Sequence, residues 1–507
     1  MLEKAKILKE RYGTSISTPF LQELMWFHRI KTDQDKELLT LEFLNVCASH
    51  ASEDNLFNQE LTTANYRKDM QVRNIIYNFP ELELIAHSSD EEHIKWKNIE
   101  TALQKKTEPP FDYEYLQDRF ESVNIFFTSV SLLRKASLGI STNRRWTSKF
   151  LFPFSFETVF IDVDNRNNSF SMDRRFFSRG GEVLYMMISR AKNVNVLKVL
   201  MLDIFQNSQQ NKRWDSLLSK LRDEKHNIFS NNTPLGFLSK DSHLIYDELV
   251  NDLISLLKSD IPQNDIFEHF ASIVSFYMVH FILTVALESK KSSVLKSGDE
   301  KIVYPLELLA PRSDHVRRSS RQIYKINEDL PLEALKTVFS MYMSSLDSIT
   351  DKDELIKKLD SEMNYTLDDD DSEEFNLGVI KKDIWNEITK KAKSDLLAIH
   401  RILLKGTGLA SVKKTNSYRY LASDEWLKTL VLINVESRMP FLDFVDILYD
   451  KYGFIISNKH SLLLLEAYSE NDFKKNETRL FERLRSLGLL ESKSDGYAYV
   501  INRYGRK

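Results

Sequence analysis

The sequence contains little cysteine, glycine and proline. Cys47 is the only cysteine in 507 residues, which excludes an intramolecular disulfide and a zinc site built on several cysteines, and favours a reducing compartment. Only 13 glycines and 11 prolines are present, whereas β-rich folds need frequent turns made from those residues. We therefore expect a mainly α-helical protein of the cytoplasm.

A surplus of positive charge is also missing. The chain has 70 lysine and arginine residues against 74 aspartate and glutamate residues, for a formal net charge of −4. A protein coated in basic surface is excluded, so any binding of nucleic acid must come from a local patch. The N-terminal residues lack the apolar core of a signal peptide, so we do not expect secretion.

One apolar stretch is long enough to raise the question of a membrane. Residues 270–287 contain no Asp, Glu, Lys or Arg, and their length is about the minimum for a membrane span. They include His280 near the middle, and no basic cluster flanks them, which is a poor pattern for a span. We predict a helix buried inside the protein and no contact with a membrane.

The length of the chain predicts several domains, because one hydrophobic core rarely organises more than roughly 250 to 300 residues. We expect a mainly α, multidomain fold with helical N-terminal and central regions. The run Asp368-Asp369-Asp370-Asp371 predicts a solvated acidic linker. The predicted segments are a helical domain at 1–145, a mainly helical domain with a short extended segment at 146–365, the linker at 366–375, a helical and hairpin connector at 376–440, and a C-terminal module at 441–507.

The C-terminal module has the order of a winged helix. Its first helix is predicted to stop at Gly453, and a second to run over 460–468. Asn476 can cap a third helix, which Gly488 ends. Two strands around the turn Asp495-Gly496 follow. Three helices followed by a hairpin predict a winged-helix module, whose third helix enters the major groove in DNA-binding versions.

Three local groups of basic residues are candidates for binding double-stranded DNA. The glutamates Glu477 and Glu482 accompany the group on the third helix, so a protein-binding role is equally compatible there. The group near residue 413 also fits a basic surface hairpin without a ligand. The candidates are Arg312, Arg317, Arg318 and Arg321; Lys413, Lys414 and Arg419; and Arg479 and Arg483.

A glycine pair at a predicted helix start suggests an anion site. Arg179, Gly180, Gly181 and Glu182 combine exposed backbone N–H groups with a cation that can form charge-assisted bonds. The structural alternative is close backbone packing, with Glu182 balancing the helix dipole and pairing with an arginine.

The sequence shows almost no sign of catalysis. Asp162, Asp164, Asp173 and Glu182 form the one carboxylate cluster that resembles a Mg²⁺ site, but Leu184 stands where such nucleases usually carry a lysine. The histidines have no ligand spacing, and phosphate-loop and nucleophile motifs are missing. We expect no catalytic residue, no bound metal and no cofactor.

Three scattered blocks, residues 173–188, 418–431 and 476–500, resemble accessory proteins from bacterial anti-phage defence islands; the first contains Arg-Arg-Phe-Phe-Ser-Arg-Gly-Gly-Glu. The nearest family is the G component of the phosphorothioation-dependent restriction system, followed by the accessory subunit of methylation-associated defence systems. The resemblance implies a non-catalytic DNA-binding or scaffolding subunit. Its partners would be larger ATPase, helicase or nuclease subunits, in the restriction of DNA that lacks the host's mark.

Two other functions remain open. The four carboxylates fit a divergent Mg²⁺-dependent nuclease, which would cleave DNA and lose that activity in Asp164→Ala. A winged-helix transcription regulator is the other, and sequence-specific binding of an operator by residues 376–507 would indicate it.

Overall fold

The computed structural model divides the chain into two compact units. The larger comprises residues 1–36, 190–193 and 236–507, and the smaller comprises 37–189 and 194–235. The chain is mainly α-helical, as predicted. The residues that the structure describes are 22–26, 35–60, 63–67, 69–106, 110–143, 146–160, 163–166, 169–172, 179–223, 233–234, 238, 240–294, 301–308, 314–349, 351–363, 377–412, 417–461, 464, 470–493 and 497–505.

The units divide the chain differently from the predicted domains. The predicted boundary after residue 145 falls inside the smaller unit, next to a strand that begins at Trp146. The acidic linker at 366–375 lies outside the described residues, but the chain on both sides of it belongs to the larger unit. The physical reason is long-range pairing: residues 304–305 pair with residues 454–455 across the boundaries expected from composition.

In the ranges that the structure describes, the smaller unit consists of helices with three short antiparallel strand pairs. Its strands are β1 (Thr63–Ala64), β2 (Ser137–Asn143), β3 (Trp146–Leu151), β4 (Val163–Arg166), β5 (Ser169–Met172) and β6 (Thr233–Pro234), paired β1 with β6, β2 with β3 and β4 with β5. Its helices are α1 (Lys36–Ser52, of which the first residue is assigned to the larger unit), α2 (Met70–Tyr77), α3 (Leu82–Ala86), α4 (Glu92–Gln104), α5 (Tyr115–Arg119), α6 (Val123–Lys135), α7 (Gly180–Ser189), α8 (Val194–Leu202) and α9 (Lys212–Leu221).

The core of the smaller unit follows helical periodicity. In α6, Phe126, Val130 and Leu133 recur at spacings of four and three residues, and all three are buried. They belong to the same apolar cluster as Trp96 of α4. Ser122 begins α6, because its hydroxyl accepts a hydrogen bond from the N–H of Ile125. Local capping and an apolar stripe therefore account for this part of the fold.

An ionic cluster lies inside the same unit. Arg222 contacts Asp69 (Nε to Oδ2, 2.5 Å) and Glu157 (Nη1 to Oε2, 2.5 Å), and Arg67 contacts Glu157 (Nη1 to Oε2, 3.0 Å). Burial alone would raise the pKa of Glu157, but the two guanidinium groups outweigh it and hold the pKa below its usual value. The two arginines are thus balanced by two carboxylates, as buried charges require.

The larger unit contains the longer helices and the remaining strands. Its strands are β7 (Tyr304–Pro305), β8 (Ala410–Val412), β9 (Tyr418–Tyr420), β10 (Arg438–Pro440), β11 (Phe454–Ile455), β12 (Leu490–Ser492) and β13 (Ala498–Ile501). A short helix at Glu23–Trp26 precedes the helices α10 (Leu244–Leu257), α11 (Gln263–Val294), α12 (Asp314–Ser344), α13 (Lys352–Met363), α14 (Leu377–Ser394), α15 (Leu396–Gly406), α16 (Asp424–Asn434), α17 (Phe441–Tyr452), α18 (Asn458–Ser461) and α19 (Glu470–Ser486).

The apolar stretch at 270–287 is the buried core of α11. Over Gln263–Lys290 the helix is long and apolar enough to cross a membrane, but 89% of its apolar window is buried inside the protein. The ring of Phe276 in this helix is surrounded by other aromatic rings with centroids 5.4–5.8 Å away, those of Tyr277, His280, Tyr304, Trp426, Tyr452 and Phe454. Aromatic packing from several elements therefore encloses α11.

Two parts of the larger unit repeat the same backbone pattern. The helices α15 and α19 are each followed, two residues after their last residue, by a left-handed glycine, Gly408 (φ 75°) and Gly488 (φ 70°). Each glycine leads into an antiparallel hairpin. The residue that follows each glycine donates a backbone hydrogen bond to the helix, Leu409 to Leu404 and Leu489 to Leu484. The two hairpins have the same register, and their corresponding residues are eighty positions apart in the chain. The first hairpin pairs Ala410 with Tyr420, Ser411 with Arg419 and Val412 with Tyr418. The second pairs Leu490 with Val500, Glu491 with Tyr499 and Ser492 with Ala498.

The C-terminal part contains the expected helix ends and hairpin. The helix α17 ends at Gly453 (φ 74°), and β12 and β13 form the predicted antiparallel pair; the turn between them lies outside the described residues. The third strand of this sheet, β10, precedes α17, and the order is β10-β13-β12. The segment after α17 forms β11, which pairs in parallel with β7.

One detail of the predicted C-terminal helices is wrong. Asn476 does not begin a helix, because α19 begins at Glu470 and Asn476 lies inside it, fully buried. Its amide nitrogen donates to Leu306 O (2.9 Å) and Ile456 O (3.1 Å), and its oxygen accepts from Leu308 N (2.8 Å). Of the helix predicted over 460–468, the structure describes residues 460, 461 and 464, and the others lie outside the described residues.

Candidate nucleic-acid interface

The basic stretch predicted to bind DNA lies at the start of α12. Arg317, Arg318, Arg321 and Gln322 line a concavity of about 440 Å³. Arg318 and Arg321 are three residues apart and therefore lie on one side of the helix. Arg312 lies outside the described residues. The first two turns of α12 thus present a small cationic concavity.

The three arginines differ in their partners. Arg317 is held by Glu307, a buried carboxylate whose Oε1 lies 2.7 Å from Nη2 and 2.9 Å from Nε. In the described part of the chain the side chains of Arg318 and Arg321 have no ion-pair or hydrogen-bond partner. A guanidinium with free N–H donors can bind a phosphate through two parallel hydrogen bonds. Arg317 is therefore a structural residue, and the other two are available to a ligand.

The first hairpin packs against the same helix. The ring of Tyr418 in β9 stacks on that of Tyr324 in α12, with centroids 5.4 Å apart and an angle of 14°. The hydroxyl of Ser320 donates to Tyr420 O (2.7 Å). Lys413 and Lys414, the hairpin residues predicted to hold a phosphate, lie outside the described residues.

Arg419 of the same hairpin is not at the surface, which corrects its assignment to DNA binding. Its side chain is 7% exposed and forms an ion pair with the carboxylate of Glu307, which also holds Arg317. A buried arginine that neutralises a buried carboxylate cannot reach a phosphate without leaving that carboxylate uncompensated. Arg419 joins the hairpin to the segment that follows β7.

The arginines predicted on the third C-terminal helix are also paired. Arg483 of α19 forms an ion pair with Asp424, and its Nη1 donates to Ala422 O (2.7 Å), so it connects α19 to the start of α16. Arg479 pairs with Glu482 of the same helix (Nη1 to Oε2, 2.9 Å) at the surface. Arg483 is therefore engaged within the protein, whereas the exposed pair of Arg479 can open at little cost.

Of two further cations of α19, sequence reasoning placed Arg485 on the outer face of the predicted third helix and missed Lys474. Lys474 and Arg485 are exposed, and neither side chain has an ion-pair partner within the described ranges. In the sequence the positive charges of this helix are matched by the acids Glu477 and Glu482. In the structure Glu482 pairs with Arg479, and Glu477 is half-buried. A count of charges that ignores their pairing therefore concealed Lys474.

The glycine pair at the start of α7 binds an anion that belongs to the protein itself. The carboxylate of Glu42 accepts hydrogen bonds from Arg179 N (2.7 Å) and Gly181 N (2.9 Å). A Cβ on Gly181 would lie 2.4 Å from Phe43 N, so only glycine allows this approach. Gly180 is buried at the first position of the helix. The anion site is thus filled by Glu42, and close packing explains Gly181.

Glu182 is engaged in the same place. Its carboxylate is buried, accepts from Arg179 Nε (2.8 Å) and accepts from the hydroxyl of Tyr66. Asp162 and Asp173, and the side chain of Asp164, lie outside the described residues. Among the residues that are described, no group of three or more His, Cys, Asp or Glu side chains is arranged to hold a metal ion.

The outer face of the C-terminal sheet carries charges that the sequence did not suggest. The guanidinium carbon of Arg438 lies 5.1 Å from the centroid of the Tyr499 ring, and Lys493 Nζ lies 5.3 Å from it. Tyr497, beside the hairpin turn, is 65% exposed. Arg438 was overlooked because its strand, three residues long, has too few residues to show the alternating pattern of a β-strand.

A larger cavity of about 840 Å³ lies elsewhere in the larger unit. The turns after α15 and α19 line it, together with α11 and α16. Its charged lining residues are Lys36, Asp265, Glu268, Lys405, Glu425, Lys428 and Arg503. Lys36 pairs with Glu268 (2.5 Å) and Lys428 with Glu425 (3.0 Å), so most of the charge is balanced internally. This cavity shows no preference for an anion or a cation.

The most buried acidic group of the larger unit serves a structural role. Asp252 is fully buried and accepts hydrogen bonds from Tyr277 Oη (2.7 Å) and Tyr452 Oη (2.9 Å), in addition to an ion pair with Lys451. One helical turn earlier, burial raises the pKa of Glu248 to about 7. The hydrogen bonds connect α10, α11 and α17, so the carboxylate joins three helices.

The sequence matches no protein-family model, and neither a curated protein nor a solved structure is significantly similar to it.

Proposed function

We propose that this chain is a non-catalytic, DNA-binding subunit of a multi-protein bacterial anti-phage complex in the cytoplasm. Double-stranded DNA is its ligand, and a larger ATPase, helicase or nuclease subunit is its partner. The observation that carries the proposal is the arginine pair Arg318 and Arg321, which lines a concavity at the start of α12 and has no partner among the described residues. The resemblance to accessory subunits of restriction systems supports the cellular role.

The electrostatics favour a phosphate ligand at that position. Two arginines with free donors lie near the N-terminal end of a long helix, where the backbone dipole also favours a negative group. The third arginine of the concavity is neutralised by Glu307, which leaves the surplus charge on the two outer ones. A local surplus of this kind agrees with DNA binding by a protein whose net charge is −4.

The architecture around the arginines supports a winged-helix interpretation of both repeated parts. Each has a helix, a left-handed glycine and an antiparallel hairpin, and the C-terminal part also has two earlier helices in the order of a winged helix. Its sheet takes the third strand from before the first helix, which is a departure from the usual order. In this proposal the hairpins are the wings.

The decisive measurement is the salt dependence of binding to a short labelled duplex. The double variant Arg318→Gln/Arg321→Gln is expected to weaken binding. It should also lower the slope of log K against log[salt] by about 1.8, because each phosphate contact contributes about 0.9. The matched control is Lys212→Gln/Arg213→Gln, which removes the same charge from exposed residues of α9.

Each outcome has a definite meaning. A smaller slope of log K against log[salt] in Arg318→Gln/Arg321→Gln, with the wild-type slope kept in Lys212→Gln/Arg213→Gln, supports the proposed interface. An equal slope in the arginine variant and the wild type removes α12 from the interface. No binding of duplex by the wild type at low salt contradicts DNA binding and leaves a scaffolding role, and cleavage of the duplex in Mg²⁺ favours a nuclease.

A further inference from the structure

The cavity of about 840 Å³ in the larger unit shares no lining residue with the concavity at the start of α12. Its volume lies within the range of small-molecule sites, roughly 300 to 1,000 Å³. Two lysines of the lining are paired with glutamates. The other charged lining residues are Lys405, Arg503 and Asp265, and within the described ranges their side chains have no ion-pair or hydrogen-bond partner.

Two of these three residues are cations. Lys405 lies in the last turn of α15, and Arg503 follows β13. Nη2 of Arg503 lies 3.6 Å from the position that a Cβ on Gly488 would take, so the guanidinium covers the turn after α19. Ammonium and guanidinium groups with free N–H donors form charge-assisted hydrogen bonds to phosphate. Lys405 and Arg503 therefore fit a phosphate group.

A hydrogen-bond acceptor lines the same cavity. His269 Nδ1 lies 2.7 Å from Thr429 Oγ1, and that hydroxyl donates to Glu425 O (3.0 Å). Because the hydrogen of Thr429 is used there, Nδ1 carries the hydrogen of the imidazole and donates. Burial lowers the pKa of His269 and keeps the ring neutral. Its Nε2 is then an acceptor, and it has no partner among the residues that the structure describes.

A second acceptor lies beside this ring. Asp265 is exposed and precedes His269 by one helical turn, so the two residues share one side of α11. The charge of Asp265 also acts on the pKa of His269. An amino group attached to an aromatic base has two hydrogens, one for each of these acceptors. His269 and Asp265 therefore fit the amino group of a base.

An aromatic ring completes the lining. Tyr504 is 48% exposed, and its carbonyl accepts the N–H of Asp260 (3.2 Å), just before the start of α11. Over the described part of the chain its ring contacts no other ring and no cation. Bases stack on tyrosine rings whatever their sequence identity. Tyr504 is therefore available for stacking.

We propose that this cavity binds a nucleoside monophosphate whose base carries an exocyclic amino group, as adenine and cytosine do. Arg503 and Lys405 hold the phosphate, and Tyr504 stacks on the base. The amino group donates to His269 Nε2 and to Asp265. A simple anion would be repelled by the carboxylate and a simple cation by the two cations, whereas a nucleotide offers an anion at one end and a donor at the other. The inference does not depend on DNA binding.

The test is calorimetric titration of the full-length chain with two pairs of nucleotides, AMP with IMP and CMP with UMP. The members of each pair differ in an amino group that is replaced by a carbonyl. The amino nucleotide of at least one pair is expected to bind, and to bind roughly tenfold or more tightly than its counterpart, because a carbonyl cannot donate to two acceptors. The corresponding nucleoside, which lacks the phosphate, should also bind roughly tenfold or more weakly.

Three variants separate the roles of the residues. Arg503→Gln should weaken binding of the nucleotide by about tenfold and leave binding of the nucleoside unchanged. Tyr504→Ala should weaken binding of both, while Tyr504→Phe keeps the ring and the affinity. Asp265→Asn should reduce the preference for the amino nucleotide. The control is Arg318→Gln/Arg321→Gln, whose arginines line the other concavity and which should bind the nucleotide as the wild type does.

Each contrary result overturns a stated part of the proposal. If neither AMP nor CMP binds, the cavity is not a nucleotide site, and the proposed duplex interface is unaffected. Nucleotide binding that Arg503→Gln does not change would show that this arginine serves only the end of α19, and it removes the phosphate site. Equal affinities within both pairs remove the recognition of the amino group. Loss of nucleotide binding in Arg318→Gln/Arg321→Gln would contradict a separate site.

Discussion

Arg419 forms a buried ion pair with Glu307, a residue that precedes it by several helices in the chain. Arg317 binds the same carboxylate from α12. One acid therefore joins the first hairpin, the segment after β7 and the start of α12. This arrangement fixes the helix that carries the two unpartnered arginines of the proposed interface.

Substitution of the shared acid is expected to destabilise the larger unit. Glu307→Gln leaves the buried guanidinium of Arg419 without a counter-charge, and the loss of one partner of a buried pair costs about 3–5 kcal/mol. Urea unfolding measures the change. Glu425→Gln, which breaks the exposed pair with Lys428, is the control and should cost about 0–1 kcal/mol. Equal costs for the two variants would contradict the buried pair.

The pairing of Arg483 predicts that it contributes nothing to DNA binding. Arg483→Gln should leave the salt slope for duplex at the wild-type value, because its guanidinium is occupied by Asp424 and Ala422 O. Its free energy of unfolding should fall by about 1 kcal/mol, as for a partly exposed ion pair. A slope reduced by about 0.9 would show that the pair opens to reach a phosphate.

The close approach at the start of α7 predicts a strong effect of a single methyl group. In Gly181→Ala the Cβ would lie 2.4 Å from Phe43 N and 2.7 Å from Glu42 C, so the backbone must shift and the bonds to Glu42 weaken. Such overpacking costs about 1–3 kcal/mol or more. The matched variant is Gly139→Ala, where no atom lies within 4 Å of the new Cβ. Thermal unfolding of the two variants should differ, and similar midpoints would contradict the close contact.

The buried amide of Asn476 predicts the effect of a change of one atom. Asn476→Asp removes the donors to Leu306 O and Ile456 O, and each carbonyl left unpaired costs about 1–3 kcal/mol. Asn471→Asp, on the exposed side of the same helix, should have little effect on the free energy of unfolding. A stable Asn476→Asp variant at neutral pH would mean that the amide does not bridge these segments.

Two buried histidines predict how stability depends on pH. Burial lowers the pKa of His280 and of His400 to about 3, against about 6.5 in the unfolded chain. The folded state therefore holds both rings neutral. Each neutral ring contributes fully to the free energy of unfolding above pH 6.5. This contribution decreases as the pH falls from 6.5 toward 3, and at pH 5.5 the decrease is about 1.4 kcal/mol for each histidine.

The contribution of one ring can be isolated. In His400→Gln the drop in the free energy of unfolding between pH 7.5 and pH 5.5 should be smaller than in wild type by about 1.4 kcal/mol. His93→Gln changes an exposed ring and should leave the drop unchanged. A drop of wild-type size in His400→Gln would contradict a buried neutral ring.

Local signals were enough to predict several elements. The helix that ends at Gly453, the helix that ends at Gly488 and the hairpin of β12 and β13 depend on left-handed glycines and on alternation over neighbouring residues. The absence of charge over residues 270–287 likewise predicted the buried core of α11. Low cysteine, glycine and proline contents together indicated a mainly helical chain.

The repeat of helix, glycine and hairpin was not visible in the sequence. Only a few equivalent positions of the two parts carry the same residue. They include Leu404 and Leu484, Gly408 and Gly488, and Leu409 and Leu489. A shared backbone conformation needs only glycine at the left-handed position and apolar residues on the inner face, so many different sequences satisfy it.

The sequence by itself determined the helical class, the glycines that follow α17 and α19, and the positions of the basic clusters, because these follow from neighbours along the chain. Only the tertiary structure decided which charges are free. Glu307, Asp424 and Glu42 are distant in sequence from Arg419, Arg483 and Gly181, and the packing of whole elements brings each carboxylate to its partner. A buried charge must be paired, so folding neutralised some of the predicted binding residues, whereas Arg318 and Arg321 line a concavity and have no partner in the described part of the chain.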